Sequence, residues 1–258
     1  MGAPRVDAGR NGYDNLREPS RGRVTTLEKR KPAVAPGPEP FEDSMFKYPN
    51  DIYKEPTGVD PDTLQNLGPL RAIAGIWRSA EGTDVNPKAE GPRTEAYVDR
   101  VELQPIDPQT NGPQLYYGLR YHQHIVKPGE VETFHDQVGY WLWEPATGTV
   151  IQTVAIPRGQ TAMAGGTSAA NAKEFELAAK RGSTIYGILS NPFLEDAFRT
   201  LEYHIKVSVH PDGRWSYDQT TLLAVKGSAK PFRHNDTNTF VKVGDPTPNP
   251  LVKARSNT

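Results

Sequence analysis

Along residues 115–122, Leu115, Tyr117, Leu119 and Tyr121 alternate with mostly polar neighbours, and residues 203–210 repeat the scheme with Tyr203, Ile205, Val207 and Val209. A period of two is the signature of a half-buried strand. Weaker alternation covers 97–104, 174–179 and 215–225, and residues 134–143 are apolar on both phases. Turn dipeptides separate these runs at Asn111-Gly112, Thr147-Gly148, Arg181-Gly182 and Asp212-Gly213. The pattern predicts an all-β fold of about ten strands. Connections this short join antiparallel neighbours, and so many strands in sequence point to a closed up-and-down β-barrel without free edges. Ahead of the strands, Asp60-Pro61 reads as an N-cap with Pro at the first helical position. Leu64 and Leu67 follow, then Gly68-Pro69, then Leu70 and Ile73 before Gly75. These predict two short helical turns that plug one end of the barrel.

Residues 1–49 carry no such period. They hold scattered charges and a proline-rich run from Lys31 to Pro40, and such a segment buries too little apolar surface to offset an ordering cost of roughly 1–2 kcal/mol per residue. The expected organisation is a disordered tail over 1–49, the barrel over 50–248 and a C-terminal tail over 249–258. The whole chain has 36% hydrophobic residues and a formal net charge of -1. That balance provides no field to steer toward nucleic acid or anionic lipid, so neither partner is expected. Cysteine is absent, which excludes disulfides, thiolate metal sites and cysteine nucleophiles. No apolar run is long enough for a membrane-spanning helix and no secretory h-region opens the chain, so a cytoplasmic protein is expected.

A barrel of about ten strands encloses more space than small side chains fill, so a small-molecule ligand is expected inside. The histidines are the candidate chemistry. His122, His124, His204 and His210 fall on the polar phase of their strands and should face water. His135 shares its phase with Trp141 and Trp143, where it is either a structural residue bonded to backbone or to an acid such as Asp136, or a cavity residue. His234 follows Lys230-Pro231-Phe232-Arg233, in a loop expected just before a last strand over 238–243. There it is either a solvent-exposed loop residue or a neutral imidazole aimed into an apolar pocket, the arrangement that ligates heme iron.

Several of these segments resemble the nitrobindins, whose barrel also forms the C-terminal domain of a THAP-type protein. The likeness runs through Asn66-Leu67-Gly68-Pro69-Leu70, Gly75-Ile76-Trp77, Phe134-His135-Asp136-Gln137-Val138-Gly139-Tyr140-Trp141, Ala155-Ile156-Pro157-Arg158-Gly159 and Pro231-Phe232-Arg233-His234. It implies a ten-stranded antiparallel barrel that binds ferric b-type heme (heme b). By this resemblance His234 is the axial metal ligand, and His135 faces the open iron position as the candidate catalytic residue. Phe134, Ile156 and Trp77 are the other cofactor-binding residues implied. The activities implied are binding of nitric oxide and, if the protein is an enzyme, isomerisation of peroxynitrite to nitrate. One departure stands out. The family pattern Gly-x-Trp-x-Gly-x-Gly is met by Gly75 and Trp77, but Ser79 and Glu81 replace the later glycines and Gly82 falls one place late. Side chains at those positions are expected to occupy space a flat ligand would use. The alternative function is a metal-free carrier of a small apolar metabolite in a barrel like that of the fatty-acid-binding proteins.

Overall fold

A computed structural model describes residues 48–256. The expected tail therefore lies almost entirely outside the described residues. The described chain begins with an irregular segment and then α1 (Thr63–Asn66) and a 3-10 helix (Gly68–Ile73). It continues with β1 (Gly75–Lys88), β2 (Gly91–Pro105), β3 (Gln109–Asn111), β4 (Gln114–Val126), β5 (Thr133–Glu144), β6 (Thr149–Ile156), β7 (Gln160–Thr167), β8 (Glu174–Arg181) and β9 (Gly187–Ser190). After α2 (Pro192–Ala197) come β10 (Phe198–Val209), β11 (Trp215–Val225), β12 (Phe232–Gly244) and α3 (Pro250–Ser256).

The barrel closes because β1 pairs with β12 on one side and β2 on the other, while β2 also pairs with β4. Ten principal strands run antiparallel around the ring. An eleventh, β9, is wedged between β7 and β8, antiparallel to the first and parallel to the second, so the closed sheet is mixed. The short β3 only adds a hairpin arm to β4. The four turn dipeptides fall at chain reversals, and Gly112, Gly148, Gly182 and Gly213 all have positive φ, a conformation that glycine adopts without steric cost.

The plug forms where expected, with one change of cap. Asp62, not Asp60, accepts from the Gln65 amide at the start of α1, while Asp60 accepts from the Asp62 amide and the Asn66 side chain. Leu67, Leu70 and Ile73 are fully buried, each burial stabilising by about 1.5–3 kcal/mol. Trp77 anchors the plug: its Nε1 donates to the Ile73 carbonyl at 2.8 Å and its ring meets Trp215 edge-on at 6.2 Å. The chain is also held at Asn249 and Leu251, whose amide donates to Asp107. Asn249 is 1% exposed and bonds the Thr63 amide, the Pro61 carbonyl and Asp107. No helix among the described residues is long and apolar enough to cross a membrane.

The register of β1 resolves the misplaced glycine. Ser79 pairs with Asp99 and Gly82 with Tyr97, so three residues of β1 after Ser79 oppose two of β2 after Tyr97; the pairing with β12 slips in the same stretch. This is a β-bulge, and one extra residue exchanges the two faces of the strand beyond it. Gly75, Trp77 and Ser79 point inward before the bulge, and Gly82 and Asp84 after it, whereas Glu81 is exposed. The expectation that a Glu81 side chain would crowd the interior is thereby corrected. Gly82 takes the inward position, where an added Cβ would lie 2.1 Å from the Tyr97 ring.

Candidate functional site

At the barrel end opposite the plug lie two adjoining chambers, the smaller lined from β1, β2, β4, β5, β11 and β12 and the larger chiefly from β5, β6, β7, β9, β10, β11 and α2. The larger, about 440 Å³, is mainly apolar, with Val154, Ile156, Ala162, Ile188 and Leu223 on its walls and Phe193 and Phe198 at its edge. The smaller, about 240 Å³, is polar and includes Asp84, Tyr97, Phe134, Gln123, Tyr217 and Asp236. His135, Gln137, Arg158, Gln219 and His234 line both. Volumes of this order suit small-molecule ligands.

His234 does not lie in a loop. The last strand starts at Phe232, because β11 pairs continuously from Trp215–Phe240 down to Leu223–Phe232, with Thr221 opposite His234. His234 thus joins Asp236, Asn238 and Phe240 on alternate positions of β12. Its Nε2 lies 2.5 Å from Asp84 Oδ1, and its side chain is 29% exposed. Burial raises the Asp84 pKa, but hydrogen bonds from His234 and Asn86 outweigh it and hold the carboxyl below its ordinary value. Asp84 is therefore the charged acceptor, and its other oxygen takes the Asn86 amide at 2.7 Å.

His135 stands on β5 with Nε2 3.0 Å from Gln137 Oε1, not bonded to Asp136, which pairs instead with His122 at 2.8 Å. Burial lowers the His135 pKa below its ordinary value, so its imidazole is neutral near pH 7 and offers one donor and one acceptor. Of the five residues named from sequence, His135, His234, Phe134 and Ile156 are brought together on the chambers. Trp77 stays in the core at the plug. Lys127 sits over the Phe134 ring at 5.3 Å, and the Arg158 guanidinium donates to the Phe134 carbonyl.

Beneath the chambers lies a polar layer that strand alternation did not flag. Tyr97 donates to Asp236 and shares a hydrogen bond with Tyr217 at 2.8 Å; Tyr217 also reaches Asp236 at 3.1 Å. Farther in, Asp99 accepts from Gln123 and Asn238. Burial pushes Asp236 up to about 6 and Asp99 up to about 7. The available signal was the bulge: Asp84 and Asp236 face each other directly across β1 and β12, an unfavourable juxtaposition of like charges unless each finds a partner. Here His234 serves one and the two tyrosines the other.

These features fit a flat apolar group with a metal centre. The apolar chamber is lined by two imidazoles and by the Arg158 guanidinium, a cation that suits a ligand bearing carboxylates. His122, His124, His204 and His210 lie outside, bonded to Asp136, Thr133, Glu176 and Ser216, as their strand phase required. Among the described residues no group of three or more His, Cys, Asp or Glu side chains is arranged to hold a bare metal ion.

A family model described as the THAP4-like, heme-binding beta-barrel domain matches residues 66–242. Among solved structures, the crystal structure of Rv2717c from M. tuberculosis is similar over 70% of this chain and 98% of its own, at 20% identity and a TM-score of 0.48. No curated protein matches in sequence.

Proposed function

The chain belongs to the family of THAP4-like, heme-binding β-barrel domains, and from that premise we propose that it binds ferric heme b in the apolar chamber with His234 as axial ligand. The observation that carries the reading is the placement of His234 and His135 together on one cavity of about 440 Å³ whose other walls are largely apolar. When bound, the heme supplies a Lewis-acidic iron for a small nitrogen or oxygen ligand such as nitric oxide or peroxynitrite. The chain's own part is to bind, orient and exclude. Val154, Ile156 and Leu223 would shield a bound heme from water, and the Arg158 guanidinium would offset the charge of its carboxylates. His234 presents a nitrogen lone pair. His135, whose pKa burial holds below its ordinary value, would donate or accept a hydrogen bond to a small ligand bound there. Isomerisation of peroxynitrite to nitrate is the activity proposed for that arrangement.

His234→Ala in the full chain tests the axial assignment. The expected result is loss of the ligated heme spectrum, while His135→Ala retains the heme and alters ligand exchange. An unchanged Soret band and heme affinity in His234→Ala would falsify the assignment. A specific feature favours a second reading, the metal-free carrier: the exposed Phe193 borders the apolar chamber. If the wild-type protein takes up no heme, the carrier reading replaces the first.

A further inference from the structure

We infer that Asp84 is the positioning residue of His234: its carboxylate accepts a hydrogen bond from Nε2–H, fixes the imidazole in one tautomer and leaves Nδ1 as the electron-pair donor to whatever acceptor the chamber holds. The inference deepens the axial role proposed for His234 and rests on that role only for its effect on heme.

The geometry comes first. The Asp84–His234 contact of 2.5 Å joins an acid only 10% exposed at its side chain to a ring on the adjacent strand. Short hydrogen bonds to an ionised acceptor are the strong ones. Among the described residues no donor reaches His234 Nδ1, and none of them consumes the lone pair of that nitrogen. Asp84 is itself held from behind. Asn86 donates to its second oxygen and also to Glu95, and Glu95 is neutralised by Lys88, Arg93 and Lys127 at 3.4–3.8 Å. This chain of contacts keeps the Asp84 carboxylate from turning away from the ring.

The alignment depends on the bulge. Asp84 points inward only because the extra residue between Ser79 and Gly82 exchanges the faces of β1; with regular pairing Thr83 and Val85 would face His234, and neither offers an anionic acceptor to an imidazole N–H. The same bulge that displaces the glycine therefore supplies the carboxylate. A histidine that donates its other N–H to a carboxylate is a more electron-rich ligand with a fixed orientation, and loss of such a partner typically costs about 10- to 100-fold in metal affinity.

The test uses Asp84→Asn in the full chain, which keeps size and removes the charge. In the heme-free protein, imidazole 15N shifts report the tautomer of His234 directly. Wild type is expected to show protonated Nε2 and bare Nδ1, and the variant to lose that preference while the remaining barrel resonances stay in place. In the heme-loaded protein the variant is expected to release heme about 10- to 100-fold faster and to show a higher ferric–ferrous midpoint potential, because a less electron-rich ligand stabilises the ferric state less. If His234→Ala abolishes ligation but Asp84→Asn leaves tautomer, heme release and potential unchanged, the inference is overturned while the axial role stands. If His234→Ala keeps its heme, the axial role falls, and the heme-free tautomer alone decides the role of Asp84.

Discussion

Replacing Asp99 with asparagine should make the protein more stable above neutral pH. Asp99 has no exposed surface; Oδ2 accepts from Gln123 Nε2 at 2.5 Å and from Asn238 Nδ2 at 3.2 Å, and Oδ1 has no partner. Burial raises its pKa to about 7 against 3.8 for an ordinary aspartate. Below about pH 4 the carboxyl is protonated whether the chain is folded or not. As pH rises through the interval, the unfolded chain loses its proton while the folded one retains it, so stability falls until the folded group also ionises near pH 7. Three pH units at about 1.4 kcal/mol each give a deficit of about 4 kcal/mol, fully developed above neutrality. Asparagine keeps a carbonyl oxygen for Gln123 and Asn238 and never ionises. Urea unfolding of both proteins at pH 4.5 and pH 8 should show the variant ahead by up to about 4 kcal/mol at pH 8, the gap closing to about 1 kcal/mol at pH 4.5. A variant no more stable than wild type at pH 8 would mean that Asp99 is not a strained buried acid.

Other expectations concern the plug end and the bulge. Removal of residues 1–47 should leave the melting temperature in place. Tyr48→Phe, by contrast, removes the hydroxyl that reaches both oxygens of Glu144, an acid 1% exposed, and should cost about 1–3 kcal/mol in denaturant unfolding; an unchanged midpoint would show that Thr147, at 2.6 Å, satisfies Glu144 alone. Gly82→Ala places a methyl against a Tyr97 ring that is tethered at its hydroxyl by Tyr217 and Asp236, so a loss of about 1–3 kcal/mol is expected from overpacking. Wild-type stability in that variant would show that the ring can move aside.

What was legible in the sequence follows from what alternation encodes. The strands around Leu115, Tyr203 and Phe134, the plug at Leu67 to Ile73 and the water-facing histidines all read correctly, because each rests on a strong contrast between an apolar and a polar face. The start of β12 was not legible. After Phe232, residues 233–238 run Arg, His, Asn, Asp, Thr, Asn with no apolar residue on either face, and their inward side is polar because it borders the cleft. His234 therefore looked like part of a loop although β11 pairs with it throughout. The same reasoning explains Asp99 and Gln123, which sit at inner positions of otherwise ordinary strands and find their partners only across the barrel.

The misplaced glycine carries the argument furthest. Compared position by position with the family pattern, Ser79, Glu81 and Gly82 suggest a damaged site, since a flat ligand needs a close backbone. Compared by strand face, they describe a shift of one residue that the bulge absorbs, so that Glu81 goes out and Gly82 and Asp84 come in. The substitution is thus conservative for space and not for charge: the close approach survives at Gly82, but Tyr97 fills it, and a carboxylate arrives beside the candidate axial histidine. The bulge carries a carboxylate into the site, so inward face and not residue count decides which side chains of β1 line it.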